Sequence, residues 1–401
     1  MKKTIVIGVT GGIAAFKSAQ LCSNLMKKGY DVHVIMTKNA TEFISPLTFE
    51  TLTHNRVSIE TFDRTFKYDV NHISLAQTAD LFVVAPATAN FIAKAAHGLA
   101  DDMLSTTFLA ARCPKLIAPA MNTGMLENPV TRRNFSMLVE MGIEFVDAAS
   151  GLLACGDVGA GKLADVADIE ERMEEMLVTH KPLKGKMVVV TAGPTREPMD
   201  PVRFISNHST GKMGYAMARA AKHLGASVKL ISGPTHLTPP AGVQVIPVGS
   251  ASQMFEAMKA FQDQYDILVK TAAVSDFRPK QVAGHKIKKN GQSEKTVAFV
   301  ENQDILAYMG DSKKPGQIIC GFAMETENLI ENATQKLHQK GADLMVANSL
   351  NEAGAGFGGE TNKVTLVGKD EAASLELMGK DAVAMVIMEK LAQMLGEKQN
   401  G

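Results

Sequence analysis

The chain has 401 residues, and 42 Lys+Arg balance 42 Asp+Glu, so the formal net charge is zero. At about 150 residues per domain this length predicts two or three domains, and 45% hydrophobic with 21% charged residues is the composition of a soluble globular protein. A neutral chain is a poor sequence-independent nucleic-acid binder or membrane-surface protein, and no apolar run reaches the roughly 18 residues of a membrane span. Four cysteines, at 22, 113, 155 and 320, are too few and too scattered for a disulfide framework or a zinc site, which points to a reducing cytoplasm. Tryptophan is absent and aromatic residues are 5%, which disfavours an aromatic-lined nucleic-acid or sugar groove.

Thr4–Val9, Asp31–Met36, Asp80–Ala85 and Lys115–Ala118 read as buried strands, separated by helical patterns over Ile13–Lys28, Ala89–His97 and Asp102–Arg112. Near-continuous apolar strands alternating with helices predict a parallel sheet covered on both faces. Val166–His180 reads as an acidic helix. The basic turn Lys181-Pro182-Leu183-Lys184-Gly185-Lys186 then predicts a boundary between domains 1–183 and 184–401. Beyond it, strands are predicted at Met187–Thr191, Ser227–Ile231, Ile267–Lys270, Gln317–Gly321 and Leu344–Ala347. Helices are predicted at Lys212–Leu224, Ser250–Gln262, Leu329–Lys340 and Asp381–Leu395, with Gly396–Gly401 a disordered tail. The halves share a style but do not align as repeats.

In the first half, Gly8-Val9-Thr10-Gly11-Gly12-Ile13-Ala14 is a glycine-rich turn into a helix N-terminus. It is either a phosphate cradle or a plain strand-to-helix turn, and Thr10 breaks the G-x-G-x-x-G pattern. Ala85-Pro86-Ala87-Thr88-Ala89-Asn90 places small residues at a strand's C-terminal end, the edge where open α/β sheets bind ligands. In Pro119-Ala120-Met121-Asn122, the asparagine also suits a helix N-cap.

These two segments, with Asn71-His72-Ile73-Ser74-Leu75 and Gly151-Leu152-Leu153-Ala154-Cys155-Gly156-Asp157-Val158-Gly159-Ala160-Gly161-Lys162, resemble the flavin-dependent decarboxylases that act on cysteine carboxyl groups. The resemblance implies FMN held by Gly11, Gly12, Ile13, Ala14, Thr37, Ala85, Pro86, Ala87, Thr88 and Asn90. It implies that His72, just before a predicted helix Ser74–Gln77, deprotonates the substrate thiol. The helix N-terminus suits a neutral imidazole. By the same resemblance, oxidation by the flavin would give a thioaldehyde-like intermediate that would lose CO2, and the enethiolate would then be reduced by the flavin and protonated. Cys155, on a mobile glycine-rich flap, would be the proton donor, and Asn122 would bind the substrate carboxylate. Lys162 stands where the family usually has Arg, which removes bidentate geometry.

In the second half, Thr191-Ala192-Gly193-Pro194-Thr195 follows a strand, and Ser206-Asn207-His208-Ser209-Thr210-Gly211-Lys212-Met213-Gly214 opens a helix without P-loop spacing. Ala272-Ala273-Val274-Ser275-Asp276-Phe277-Arg278-Pro279 follows another strand, and Lys286-Ile287-Lys288-Lys289 lies on a polar loop. With Gly321-Phe322-Ala323-Met324-Glu325-Thr326 and Ala347-Asn348, they resemble phosphopantothenate–cysteine ligases. The two halves in this order are similar to the bacterial bifunctional proteins of coenzyme A biosynthesis.

The fold implied is two doubly wound α/β, Rossmann-like domains, an N-terminal flavodoxin-like flavoprotein domain and a C-terminal ligase domain. The reaction implied joins 4′-phosphopantothenate to cysteine through an acyl cytidylate made from CTP. CTP would be held by Gly193, Ser209, Gly211, Gly214, Thr271, Ala272, Asp276, Lys286, Gln303, Asp304, Ile305, Leu306, Phe322, Lys336 and Lys340. Lys336 and Lys340, spaced i,i+4, share a helix face. Asn207 would orient the acyl cytidylate, and Arg203, Ala273, Lys288 and Lys289 would bind substrate. Mg2+ would screen the phosphates, with Asp276 its candidate ligand. Trimer-forming decarboxylase halves and dimer-forming ligase halves together imply a homo-oligomer, with a dodecamer satisfying both. Two other readings are a monofunctional enzyme with one degenerate half and a non-catalytic regulatory flavoprotein. The first is disfavoured by the presence of His72, Asn122, Cys155, Asn207 and Lys286, and the second by a complete ligase half.

Overall fold

The structure is a computed structural model that describes residues 2–62, 71–152, 156, 158–288, 296–325, 328–349, 359–369 and 371–400. Cys155 and Lys289 therefore lie outside the described residues. The chain divides into two compact units, Met1–Thr179 and His180–Gly401.

In the first unit, β1 (Thr4–Val9), α1 (Ala15–Lys27), β2 (Asp31–Met36) and a 3-10 turn at Lys38–Glu42 come first. Then follow α2 (Pro46–Thr53), α3 (Asn71–Thr78), β3 (Leu81–Ala87), α4 (Ala89–His97), α5 (Met103–Ala110) and β4 (Lys115–Pro119). The unit ends with α6 (Thr123–Glu127), α7 (Pro129–Glu140), β5 (Glu144–Phe145), β6 (Ala149–Leu152), β7 (Val158–Lys162) and α8 (Val166–Leu177). The main sheet is parallel, in the order β2-β1-β3-β4-β5. Successive side chains of a strand face opposite ways, so Ile5, Ile7 and Val83 enter one core while Val6, Phe82 and Val84 enter the other. That is why the strands read as unbroken apolar runs. The chain order reverses between β1 and β3, which makes their C-terminal ends the switch point of a flavodoxin-type sheet.

In the second unit, β8 (Met187–Ala192), β9 (Arg196–Pro198), β10 (Phe204–Ser206), α9 (Lys212–His223), β11 (Ser227–Ser232), β12 (Gln244–Pro247), α10 (Ala251–Lys259) and β13 (Ile267–Lys270) come first. They are followed by β14 (Phe277–Pro279), β15 (Phe299–Glu301), α11 (Ile305–Asp311), β16 (Ile318–Glu325), α12 (Leu329–Gln339) and β17 (Leu344–Ser349). Last come β18 (Thr361–Asn362), β19 (Val364–Val367), β20 (Ala372–Ser374), β21 (Met378–Gly379) and α13 (Lys380–Asn400). The sheet order is β12-β11-β8-β13-β16-β17-β19-β20, parallel through β17 and antiparallel beyond. Its parallel part is the doubly wound dinucleotide order, with the switch between β8 and β13. The two units are thus both α/β but wound differently, as halves that do not align as repeats should be.

The basic turn Lys181–Lys186, where the boundary is expected, packs with the second unit. Leu183 is fully buried in the second unit, its N–H donates to Leu224 O at 3.0 Å, and Lys181 Nζ donates to His223 O at 2.6 Å. The expected disordered tail is helical: α13 runs on to Asn400, and Lys398 Nζ reaches Asp343 Oδ1 at 2.8 Å and Gln317 O at 3.1 Å. Asp343 is 2% exposed, and a buried carboxylate needs cations, so it anchors the last turn.

Candidate active sites

The first unit opens a cavity of about 610 Å³ at the C-terminal edge of its sheet. Gly11, Gly12, Ile13 and Ala14 line one side, and Thr88 and Asn122 another. The β1–α1 turn has no side-chain cap on α1, and Ala15 N and Lys17 N donate instead to Gly12 O and Ala14 O, each at 3.0 Å. A Cβ on Gly12 would meet open space, whereas one on Gly11 would sit 2.6 Å from Asn39 Cβ. Gly11 thus lets the turn close onto the 3-10 segment that Thr37 introduces. Thr37 Oγ1 is buried with no hydrogen-bond partner among the described residues. Such an orphaned hydroxyl beside a glycine turn fits a polar ligand, so the site suits a flavin nucleotide.

Ala85 and Ala87 have no exposed surface and Pro86 is buried, its peptide with Ala85 cis. Their carbonyls are taken internally: Thr10 Oγ1 donates to Pro86 O at 2.8 Å, and Ser18 Oγ donates to Ala85 O at 2.6 Å. These three residues form the floor behind the cavity, and the expected direct contact falls instead to Thr88, the N-cap of α4. Asn90 is exposed on the first turn of α4 and does not line the cavity.

Asn122 caps α6, its Oδ1 accepting from Gly124 N at 2.8 Å, and it lines the cavity as well. Both readings of this residue fit together, since a cap uses the amide oxygen and a carboxylate needs the amide donors. His72 lies in the first turn of α3, half-buried, and is not among the cavity-lining residues.

The glycine-rich flap, expected to be a loop, forms two antiparallel strands, β6 and β7. Its glycines allow close docking. A Cβ on Gly161, at φ +139°, would fall 2.2 Å from Met121 O, and one on Gly159 would fall 2.5 Å from Thr123 Oγ1. Met121 N donates to Gly161 O at 3.0 Å, and Thr123 Oγ1 donates to Ala160 O at 2.7 Å. Lys162 consequently borders the cavity, together with Phe16, Lys17 and Met125, which the sequence reading missed. Phe16 and Met125 are apolar yet 60% and 49% exposed, a property that only the folded chain shows. The described cysteines make poor nucleophiles: burial pushes the Cys22 thiol up to about 12 and raises Cys113 and Cys320.

In the second unit the loops after β8 and β13 are knitted at the switch point. Ala273 N donates to Gly193 O at 3.0 Å, Ala272 N to Thr191 Oγ1 at 3.2 Å, and Ser275 N to Thr195 Oγ1 at 3.0 Å. Thr271, Ala272 and Ala273 are held by this lattice. Gly211 caps α9 at φ +80°, with Ser209 Oγ accepting its N–H at 3.3 Å. Gly214 acts by packing, since a Cβ there would sit 2.5 Å from Ala192 Cβ and 2.6 Å from Thr271 Oγ1. Asn207 Nδ2 donates to Val274 O at 3.1 Å, tying the two loops together.

A cavity of about 250 Å³ opens beside these loops, lined by Lys270, Asp276, Gln303, Asp304 and Ile305 among others. Asp304 caps α11, Oδ1 accepting from Ala307 N at 2.9 Å, and Oδ2 accepts from Lys340 Nζ at 2.6 Å. Burial pushes this carboxyl up, but Lys340 and the Ala307 N–H outweigh it and hold it below the usual range. Lys336 shares α12 and the local field with them. Leu306 is 6% exposed and packs in the core, Phe322 is half-buried on β16, and neither lines the cavity. Among the described residues no cluster of three His, Cys, Asp or Glu could hold a metal.

Arg203 is engaged with buried Asp200, through Nε at 2.9 Å and Nη2 at 2.7 Å, and Nη2 also reaches Ile287 O. Asp200 Oδ2 accepts from Ile287 N at 3.1 Å. Burial raises the Asp200 carboxyl, but backbone N–H groups and Arg203 hold it well below the usual range. Arg203 therefore positions the loop of Lys286 and Lys288, whose side chains are exposed and do not line the cavity. Among the described residues, no helix is long and apolar enough to cross a membrane.

Comparison with known proteins agrees with this two-part architecture. The family described as "Flavoprotein" matches residues 1–177, and "DNA/pantothenate metabolism flavoprotein C-terminal domain" matches residues 183–395. The Coenzyme A biosynthesis bifunctional protein CoaBC of Bacillus subtilis is 47% identical over 403 residues, covering 100% of this chain and 98% of that protein. Its namesake from Vibrio vulnificus strain YJ016 is 41% identical over 395 residues, covering 98% of each. The crystal structure of the C-terminal domain of a CoaBC protein is 42% identical, with a TM-score of 0.47, covering 54% of this chain and 99% of that one. The chain belongs to the family of bifunctional coenzyme A biosynthesis proteins, with a flavoprotein decarboxylase half followed by a ligase half.

Proposed function

We propose that residues 184–401 join 4′-phosphopantothenate to cysteine through an acyl cytidylate made with CTP. Residues 1–183, loaded with FMN, then decarboxylate the product to 4′-phosphopantetheine. The observation that carries this reading is a pair of cavities at strand C-terminal edges, one bordered by a glycine turn and apolar side chains, the other by Lys270, Asp276 and Asp304.

In the decarboxylase half, Gly11, Gly12, Ile13, Ala14, Thr37 and Thr88 would hold FMN, which when bound supplies a reversible electron-pair acceptor. Asn122 orients the substrate by donating to its carboxylate, His72 takes the thiol proton, and Cys155 returns a proton to the product. In the ligase half, Asp276 would hold Mg2+, which would screen the charge of the phosphates. Lys336, Lys340 and Lys286 offset the charge of the triphosphate, and Asn207 orients the acyl cytidylate. A carboxylate is a poor acyl donor, so activation by nucleotidyl transfer must precede attack by the cysteine amine.

The enzyme works on small molecules, in the cytoplasm where its thiols stay reduced, as a homo-oligomer combining decarboxylase trimers with ligase dimers. Native mass spectrometry tests that assembly. The chemistry is tested by supplying 4′-phosphopantothenate, cysteine, Mg2+ and either CTP or ATP, then following products by mass. The expected result is CMP, pyrophosphate and 4′-phosphopantetheine with CTP. Product with ATP alone refutes the nucleotide assignment, and accumulation of the acid without CO2 loss refutes the decarboxylase.

A further inference from the structure

Lys270 ends β13 at the switch point of the second sheet, paired in register with Thr191 of β8 on one side and Gly321 of β16 on the other. Ile267, Leu268 and Val269 before it are fully buried and Lys270 itself is half-buried, so the fold carries a cation to the rim of the core. Its side chain lines the cavity with Asp276, Gln303 and Asp304. Among the described residues its ammonium has no hydrogen-bond or ion-pair partner, although Asp304, Asp276, Lys336 and Lys340 all act on it electrostatically. Asp304 is already joined to Lys340. Loss of water pushes the Lys270 ammonium's pKa down, against the pull of the two aspartates.

A half-buried cation without a protein partner has given up part of its hydration with no ion pair in return. The cavity relieves that cost when it takes an anion, and the switch point is where an open α/β sheet receives one. We propose that Lys270 is a further nucleotide-binding residue, whose Nζ donates to a phosphate oxygen of the nucleotide in the ligase half. The proposal rests on the nucleotide reading above. It adds a lysine from the strand edge to the pair on α12.

The test is calorimetric titration of the full-length protein with MgCTP, inorganic tripolyphosphate and cytidine, for the native chain and for Lys270→Met. A charge-assisted contact is commonly worth a ten- to hundredfold change in affinity (about 1.5–3 kcal/mol). The expected result is a loss of that order for MgCTP and tripolyphosphate, with cytidine unchanged. Unchanged MgCTP affinity overturns the proposal, and so does an equal loss for cytidine, which would put the ammonium at the base or in the fold. Lys270→Gln replaces the Met variant if the latter melts early. A native chain that binds neither MgCTP nor MgATP overturns the nucleotide reading itself, a result distinct from a variant that binds as well as the native chain.

Discussion

Replacing Gly161 by alanine should disable decarboxylation while sparing ligation. The added Cβ would lie 2.2 Å from Met121 O at a backbone φ of +139°. Both partners are main chain, so no flexible side chain can yield, and β7 must lift from the β4–α6 turn. That movement breaks Met121 N–H to Gly161 O and Thr123 O–H to Ala160 O, at about 1 kcal/mol each. Holding a non-glycine residue in this region costs about 1–3 kcal/mol more. The bonds oppose that movement, but the strain of the docked form, about 1–3 kcal/mol, still lowers the population of the docked hairpin by roughly 5- to 150-fold. Docking sets Gly161 and Lys162 beside Asn122, so single-turnover CO2 release should fall by about the same factor. Pyrophosphate release should be unchanged, because the ligase cavity belongs to the other unit. Native-rate decarboxylation by this variant would refute the docking argument.

Lys398→Met should lower the melting temperature of the second unit by a few degrees, from a loss of about 1 kcal/mol after discounting for a partly exposed lysine. Asp343 is held below its ordinary value of 3.8 by Lys398 and other partners despite burial. That contribution is present above the unfolded pKa and fades as pH falls through the lower folded value. The gap between native and variant melting temperatures should therefore close below about pH 4, and a pH-independent gap would argue against the ion pair. Asp200→Asn should raise the nucleotide KM several-fold by freeing the Lys286 loop, with flavin content unaltered; an unchanged KM would remove Asp200 and Arg203 from positioning that loop. Cys155→Ser should halt the decarboxylase before 4′-phosphopantetheine, with ligation intact, and full product formation would dismiss Cys155 as the proton donor.

Much of the architecture was legible in the sequence because fully buried parallel strands leave a plain record. Thr4–Val9, Asp31–Met36 and Ile267–Lys270 stand where the apolar runs end. The glycine turn at Gly11–Gly12 and the Asp276 and Gln303–Ile305 segments reach cavities at the strand edges, since chemistry in such sheets gathers where strands stop. Short elements escaped. The β6–β7 hairpin reads as loop because its glycines serve contact with Met121 and Thr123, partners remote in sequence.

The sequence by itself determined two α/β halves, since burial periodicity is a local property of the chain, while the residues expected for two chemistries came from its resemblance to known families. Only the tertiary structure decided where these residues sit and what they touch. It turned Ala85, Pro86 and Ala87 into a buried floor and Gly214 into a packing contact. It put Arg203 on Asp200, and a tail that looked solvated into a helix held by a buried aspartate. It also brought the unremarked Lys270 to the wall of a cavity. Each of these depends on residues far apart in the chain, where packing and desolvation, rather than local pattern, set the energy.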